Sequence, residues 1–183
     1  METNVSVTPS QAAVKAGLYL GLVMFILTLL AYFVDYSILV SFWFGIIILV
    51  LFFGLILYFG FQYRKSVGGY LEYSPAFVFS FVTLLISGLI GLAGNMILYQ
   101  VIDPELPKML VDAQLENMLQ MMDRFGAGDS ISGDQLDEIR EGVEANFTVF
   151  GQIKSFAIGN IVYAIMALIL AAIIKKRDKS LDY

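Results

Sequence analysis

The chain has 183 residues, of which 58% are hydrophobic and 15% charged, and its mean hydropathy is +0.78. This composition lies outside that of ordinary soluble domains and predicts an integral membrane protein. The chain contains no cysteine and no histidine. Disulfides and thiolate nucleophiles are therefore excluded, as are the commonest catalytic base and metal ligand.

The first predicted membrane span covers residues 16–34, which carry no charged side chain. Thr8, Pro9 and Gln11 precede it and predict a helix start, with a capping box and a proline in the first turn. Nineteen residues at 1.5 Å each reach about 28 Å, close to the hydrocarbon thickness of a bilayer. A cleaved signal peptide is the alternative, but no small-residue cleavage site follows the run.

Two further charge-free runs predict the second and third spans at residues 38–61 and 76–102. Asp35 marks the short turn between the first two. Ser74 followed by Pro75 predicts the start of the third helix, and Pro104 predicts its end, because the residue before a proline avoids helical geometry.

Residues 103–150, which we call the acidic segment, carry eleven acidic side chains against three basic ones. A first apolar stripe at helical spacing is followed by the breaker at residues 126–128. Ser132 and Gln135 form a second capping box, after which a second stripe begins. Two facing stripes predict an antiparallel helical pair. The stripes are Val111, Leu115, Met118, Met122 and Phe125, and then Leu136, Ile139, Val143, Phe147 and Phe150.

The fourth predicted span covers residues 152–174. No strong breaker separates it from the acidic segment, so the second helix of the pair is left free to continue into it. Basic residues near span ends are retained in the cytoplasm. Lys15, Arg64, Lys65 and the tail cations all fall on one side of a four-span chain. Both termini are therefore predicted to be cytoplasmic and the acidic segment to lie outside.

Together these features predict an all-α membrane protein, with residues 1–183 forming a single membrane domain. The expected architecture is a four-transmembrane-helix bundle with an extracytoplasmic acidic helical hairpin, residues 103–150, between the third and fourth spans.

Three parts of the sequence resemble a bacterial family of four-span membrane proteins described only as a domain of unknown function. They are residues 68–77 (GGYLEYSPAF), residues 102–105 (IDPE) and residues 171–176 (AAIIKK). The resemblance covers nearly the whole chain. It implies a multi-pass protein of the bacterial inner membrane and no established activity, so no catalytic residue is carried over.

Asn95 and Asn160 are the polar residues of interest within the spans. Their depths match, because Asn95 lies eight residues inward of Asp103 and Asn160 six residues inward of Lys154. Each shares a helix face with small residues, which let helices approach closely. The prediction is an interhelical amide contact. A polar permeation or ligand site is the alternative.

The acidic segment also offers a candidate interaction surface, formed by Asp112, Glu116, Asp123, Asp134, Asp137, Glu138 and Glu141. Asp129, Asp134, Asp137 and Glu138 are close in sequence but lack the alternating oxygen ligands of an EF-hand loop, so a calcium site is disfavoured. Docking of a basic partner remains open, whereas nucleic acid is disfavoured by the negative charge.

The sequence thus predicts a non-enzymatic integral membrane protein, without a cofactor, that presents the acidic hairpin for interaction or regulation. Its partners would be the lipid bilayer and either a second copy or an unidentified membrane or extracytoplasmic protein. A small transporter or channel component is the alternative. It is weakened because no ionisable residue lies at mid-span, where such groups usually serve transport.

Overall fold

A computed structural model describes residues 8–126 and 132–177, and all of its long elements are helices. A 3-10 turn, Tyr36–Val40, separates the first two helices, and a π-helical turn, Leu98–Ile102, extends the third. The helices are α1 (Pro9–Val34), α2 (Phe42–Ser66), α3 (Tyr73–Ile97), α4 (Leu106–Arg124), α5 (Gly133–Phe147) and α6 (Val149–Ile174).

Four of these elements are long and apolar enough to cross a membrane: α1, α2, α3 with its π-helical turn, and α6. The predicted all-α, four-span fold class is confirmed. The shorter α4 and α5 occupy the acidic segment between the third and fourth spans. That they lie on the extracytoplasmic side stays a prediction.

Helix α3 is at the centre of the bundle, because its largest interfaces are with α1 and α6, while α2 is only slightly covered. Gly17 and Gly21 allow α1 to approach α3 closely. A Cβ atom at Gly17 would lie 2.7 Å from Cβ of Ile86, and one at Gly21 would lie 2.8 Å from Cβ of Ile90. The two glycines therefore set the distance between these helices, because small residues let membrane-spanning helices approach closely.

Side-chain caps mark the start of several helices. Thr8 and Ser132 each form the predicted capping box, with Gln11 and Gln135 respectively. The third helix begins at Tyr73, with Glu72 as its N-cap, so the start predicted at Ser74 is slightly late.

The second helix begins at Phe42 rather than residue 38, because the intervening residues form the 3-10 turn and Ser41 caps α2. Asp35 caps that turn by accepting a hydrogen bond from the backbone N–H of Ser37 at 2.8 Å. Hydrogen bonds from the backbone and then the side chain of Ser37 hold the pKa of the Asp35 carboxyl below its usual value.

The sequence left open whether α5 continues into the fourth span. In the structure it does not, because α5 ends at Phe147 and α6 begins at Val149. Thr148 adopts an extended conformation, with φ −66° and ψ 156°, and its hydroxyl oxygen accepts a hydrogen bond from the N–H of Gly151 at 3.0 Å. The chain bends here because a threonine cap satisfies the start of α6 without a proline or glycine breaker. The break also removes Phe150 from the apolar stripe of α5, and its side chain is 77% exposed.

The opposite end of the bundle is held by the residues that follow α6. Leu71 and Lys176 exchange two backbone hydrogen bonds of 2.9 and 2.8 Å as an isolated antiparallel bridge. Nη1 of Arg64 donates to the carbonyl oxygen of Ile174 at 2.8 Å. The loop between α2 and α3 is therefore fastened to the end of α6.

Candidate functional site

Helix α4 is anchored on the end of the bundle by apolar contacts. Leu98, Leu106 and Leu110 form a small buried cluster, against which side chains of α1, the 3-10 turn and α5 pack. Nδ2 of Asn117 also donates to the carbonyl oxygen of Val40 at 3.3 Å. The acidic segment is thus fixed to the bundle by contacts of α4 between Leu106 and Asn117.

The predicted apolar stripes are buried to different degrees along their length. Val111 and Leu115 are buried, Met118 and Met122 are half-buried, and Phe125 is 82% exposed. On α5 no residue is fully buried; Leu136, Ile139, Val143 and Phe147 are half-buried. Burial therefore decreases away from the membrane-spanning bundle. The breaker predicted at residues 126–128 lies only partly within the described residues, with Gly126 at a positive φ of 72°.

All seven acidic residues proposed from the sequence are exposed. They lie on α4, as Asp112, Glu116 and Asp123, and on α5, as Asp134, Asp137, Glu138 and Glu141. The two helices are joined by Nη1 of Arg140, which lies 2.8 Å from Oδ1 of Asp112 and 3.9 Å from Oε1 of Glu144. One of the few cations of the segment is therefore bound to carboxylates, and the surface stays acidic.

The described part of the chain contains no group of three or more acidic side chains placed to hold a metal ion. Asp129, one of the residues weighed for calcium, lies outside the described residues.

A cavity of about 460 Å³ lies between α1, α2, α3 and α6, where α5 meets α6. Asn95 lines it together with Gln152, Ser155 and two tyrosines, Tyr99 and Tyr163. Its remaining walls are mostly apolar, and none of the residues that line it is charged. The cavity runs from the end of α5 into the membrane-spanning part of the bundle.

The two asparagines predicted to pair have different surroundings. Nδ2 of Asn160 donates to the carbonyl oxygen of Phe156 at 2.8 Å within its own helix, and Oδ1 of Asn160 is buried without a hydrogen-bond partner. Asn95 lines the cavity, whereas Asn160 is not among the residues that line it. Within the described residues no hydrogen bond joins the two amides.

Gln152 is the polar residue that the sequence analysis missed. Its side chain is only 8% exposed, Nε2 donates to the carbonyl oxygen of Phe147 at 3.0 Å, and Oε1 accepts no hydrogen bond. The available signal was a glutamine at the start of the predicted fourth span, but Lys154 two residues later made this end of the span look solvent-exposed.

These features define a multi-pass integral membrane protein: four long apolar helices form a bundle, and a pair of shorter acidic helices adjoins one end. The chain belongs to the family described as "Protein of unknown function (DUF4199)", whose model matches residues 15–176. The resemblance to a family of unknown function is thereby confirmed, whereas the bacterial origin stays a prediction. No curated protein and no solved structure matches the sequence.

Proposed function

We propose that this protein is a non-enzymatic component of a bacterial inner membrane whose α4 and α5 present an acidic docking surface outside the cytoplasm. The observation that carries the proposal is the exposure of seven carboxylates on two helices, one of which is fixed to the bundle by buried leucines. A fixed surface of one charge sign speeds the encounter with a partner of the opposite sign. The partner would therefore present a basic surface.

The distribution of charge supports this orientation. Lys15, Arg64, Lys65 and Lys175 fall at the helix ends opposite to α4 and α5, as the residues retained in the cytoplasm should. Single cysteines are a clean test, because the chain has none of its own. A membrane-impermeant maleimide added to intact cells should label Met121→Cys and should label Lys65→Cys only after the membrane is opened. The reverse pattern would overturn the orientation.

Docking can be tested with a photocrosslinking residue at position 138 in native membranes. A discrete adduct is expected, and it should disappear when Asp134, Asp137 and Glu141 are replaced by the neutral amides. A crosslinker at Glu72, an exposed acid at the other end of the bundle, is the matched control. An adduct that survives neutralisation would remove charge as the basis of docking. A turnover reaction of the purified protein that is lost with these carboxylates would contradict the non-enzymatic assignment.

A small transport component is the second candidate, and the uncharged cavity is the observation that favours it. Proteoliposomes containing the protein would then admit a neutral solute such as glycerol faster than empty liposomes. The replacement Asn95→Ala should change this flux because Asn95 lines the cavity. Asn160→Ala, which removes the same group elsewhere in the bundle, should leave it unchanged. Equal flux with and without the protein would eliminate this candidate.

A further inference from the structure

The cavity beside Gln152 combines an apolar body with a polar end. Phe52, Leu92 and Phe156 provide apolar walls, while Asn146 and Gln152 lie where α5 meets α6. Gln152 is three residues from the start of α6, about 4.5 Å along the helix, whereas Tyr163 is about 16 Å deeper. The amide end is therefore near the membrane surface, and the part that extends inward is lined mostly by apolar side chains, with the Tyr163 hydroxyl among them. A lipid molecule has a similar arrangement of head group and chain.

The unpaired carbonyl oxygen of Gln152 indicates which chemical group a ligand of this cavity would carry. The amide is fixed by its Nε2 hydrogen bond to Phe147, so the carbonyl end is the one left without a partner. A buried acceptor that makes no hydrogen bond is destabilising, because it has lost its bonds to water without replacing them. A ligand that brings an O–H or N–H donor to this end of the cavity would remove that cost.

The lining also restricts the charge of the ligand. None of the cavity-lining residues is acidic or basic, and an unpaired charge is costly to bury. An ionised head group would therefore lack a counterion in this cavity. A neutral head group fits it.

The position of α2 indicates the route of entry. Helices α2 and α6 meet near the opposite end of the bundle, where Gly60 lies against the side chain of Ile174 and Arg64 reaches the Ile174 carbonyl. The cavity lies at the other end, between Ile48 and Phe52 of α2 and Phe156 of α6. Since α2 is the least covered of the four spans, the bundle is least closed around α2, and we expect a lipid to enter beside it, between α2 and α6.

We propose that this cavity is a binding site for a neutral lipid with a hydroxyl-bearing head group, such as a monoacylglycerol. The hydroxyl donates to Oε1 of Gln152, and the first part of the acyl chain lies against Phe52, Leu92 and Phe156. A volume of about 460 Å³ is within the range of ligand-binding pockets and holds a head group with part of one chain. The site is separate from the acidic docking surface and does not depend on it.

The test uses the full-length protein in phosphatidylcholine vesicles with 1-monoolein that carries a photoreactive diazirine in its chain. Labelling should be saturable and should map to residues 87–99 and 152–163. Unlabelled monoolein should compete about five- to tenfold better than its dimethyl ether, which keeps the shape but lacks the O–H donors. Glycerol should not compete. This comparison of head groups uses the unmodified protein, so it is independent of how any variant folds.

A pair of glycine replacements tests the place of binding. Gly91 lines the cavity, and a Cβ atom there would meet no other atom within 4 Å, so Gly91→Leu should project into the cavity without a clash at its base. We expect it to reduce labelling at least tenfold. Gly54→Leu is the matched control, because Gly54 is an exposed residue of α2 with equally free surroundings.

Three outcomes would overturn the proposal. The first is labelling spread evenly over the lipid-facing helices and unaffected by Gly91→Leu. The second is equal competition by monoolein and its dimethyl ether, which would remove the hydrogen bond to Gln152. The third is displacement by glycerol, which would make a free polar solute, rather than a lipid, the ligand.

Discussion

The hydroxyl of Tyr32 donates a hydrogen bond to Oδ2 of Asp103 at 3.0 Å, although the two residues are 71 positions apart in the chain. The other carboxylate oxygen of Asp103 accepts hydrogen bonds from the backbone N–H groups of Glu105 and Leu106, at 3.2 and 3.1 Å. One carboxylate therefore connects the end of α1 to the turn that starts α4. Asp103 is the point at which the acidic segment is attached to the bundle.

We expect Tyr32→Phe to weaken this attachment by about 1 kcal/mol, the usual contribution of one hydrogen bond, and Asp103→Ala to weaken it more because the turn bonds are lost as well. Hydrogen exchange of the backbone amides in the first turn of α4 measures the effect. Tyr36→Phe, at an exposed tyrosine of the neighbouring 3-10 turn, is the control. Unchanged exchange in Asp103→Ala would show that the leucine cluster alone holds α4.

The bend between α5 and α6 depends on Gly151. A Cβ atom at this position would overlap the backbone carbonyl oxygen of Ala145, and a backbone atom cannot move aside cheaply. Gly151→Ala should therefore destabilise the protein by roughly 1–3 kcal/mol, as overpacking does. Thermal unfolding in detergent micelles is the measurement.

Gly142 provides the matched replacement for that experiment. It is an exposed helical residue of α5, and a Cβ atom there would meet nothing within 4 Å. Gly142→Ala should raise stability by about 0.5–1 kcal/mol through helix propensity alone. If both alanine variants shift the unfolding temperature in the same direction, the bend at Thr148 is not fixed by the lack of a side chain at position 151.

The anchoring of α4 makes different predictions for two apolar residues of the same helix. Leu110 is 1% exposed within the leucine cluster, whereas Met121 is 56% exposed. An aspartate at position 110 would place a charge in that cluster, which costs several kcal/mol. Leu110→Asp should therefore make the segment between α4 and α5 much more sensitive to limited proteolysis, while Met121→Asp should not. Equal sensitivity would indicate that α4 is held by its polar contacts.

The parts of this fold that the sequence could predict are those that depend on neighbouring residues. Charge-free runs of about 20 residues indicate membrane spans because the bilayer imposes that length. The capping boxes at Thr8 and Ser132 were also predictable, because each depends on two side chains only three positions apart in the sequence. The bend at Thr148 was not, because a lone threonine is a weak breaker and the effect depends on Gly151 packing against Ala145.

The cavity could not be predicted, since it depends on distances between helices. The Asn95–Asn160 pairing was inferred from matching depths, but depth does not fix the rotation of a helix about its own axis. Gln152 is far from α2 in sequence, and the two line the same cavity only once the helices have packed. Which polar residues line a membrane cavity therefore follows from the tertiary packing.

Arg64 has a structural role that its neighbour Lys65 lacks. Its Nη1 donates to the carbonyl oxygen of Ile174 at 2.8 Å, and its guanidinium lies 4.9 Å from the centre of the Phe61 ring. Ile174 is the last residue of α6, so no N–H group of the helix is available to its carbonyl oxygen. That oxygen needs a donor from elsewhere. Lys65 is the next residue in the same last turn of α2, and it is exposed.

Arg64→Gln should therefore lower the free energy of unfolding by about 1.5–3 kcal/mol, the range for hydrogen bonds to charged groups. It should also speed trypsin cleavage after Lys175, because the end of α6 is released. Lys65→Gln makes the same change in net charge and should have little effect on either measurement. If the two variants behave alike, net charge at this end of the bundle would matter and the Arg64–Ile174 hydrogen bond would not. Because the Leu71–Lys176 bridge is made by backbone atoms, it should persist in both variants and keep cleavage slower than in an unfolded chain.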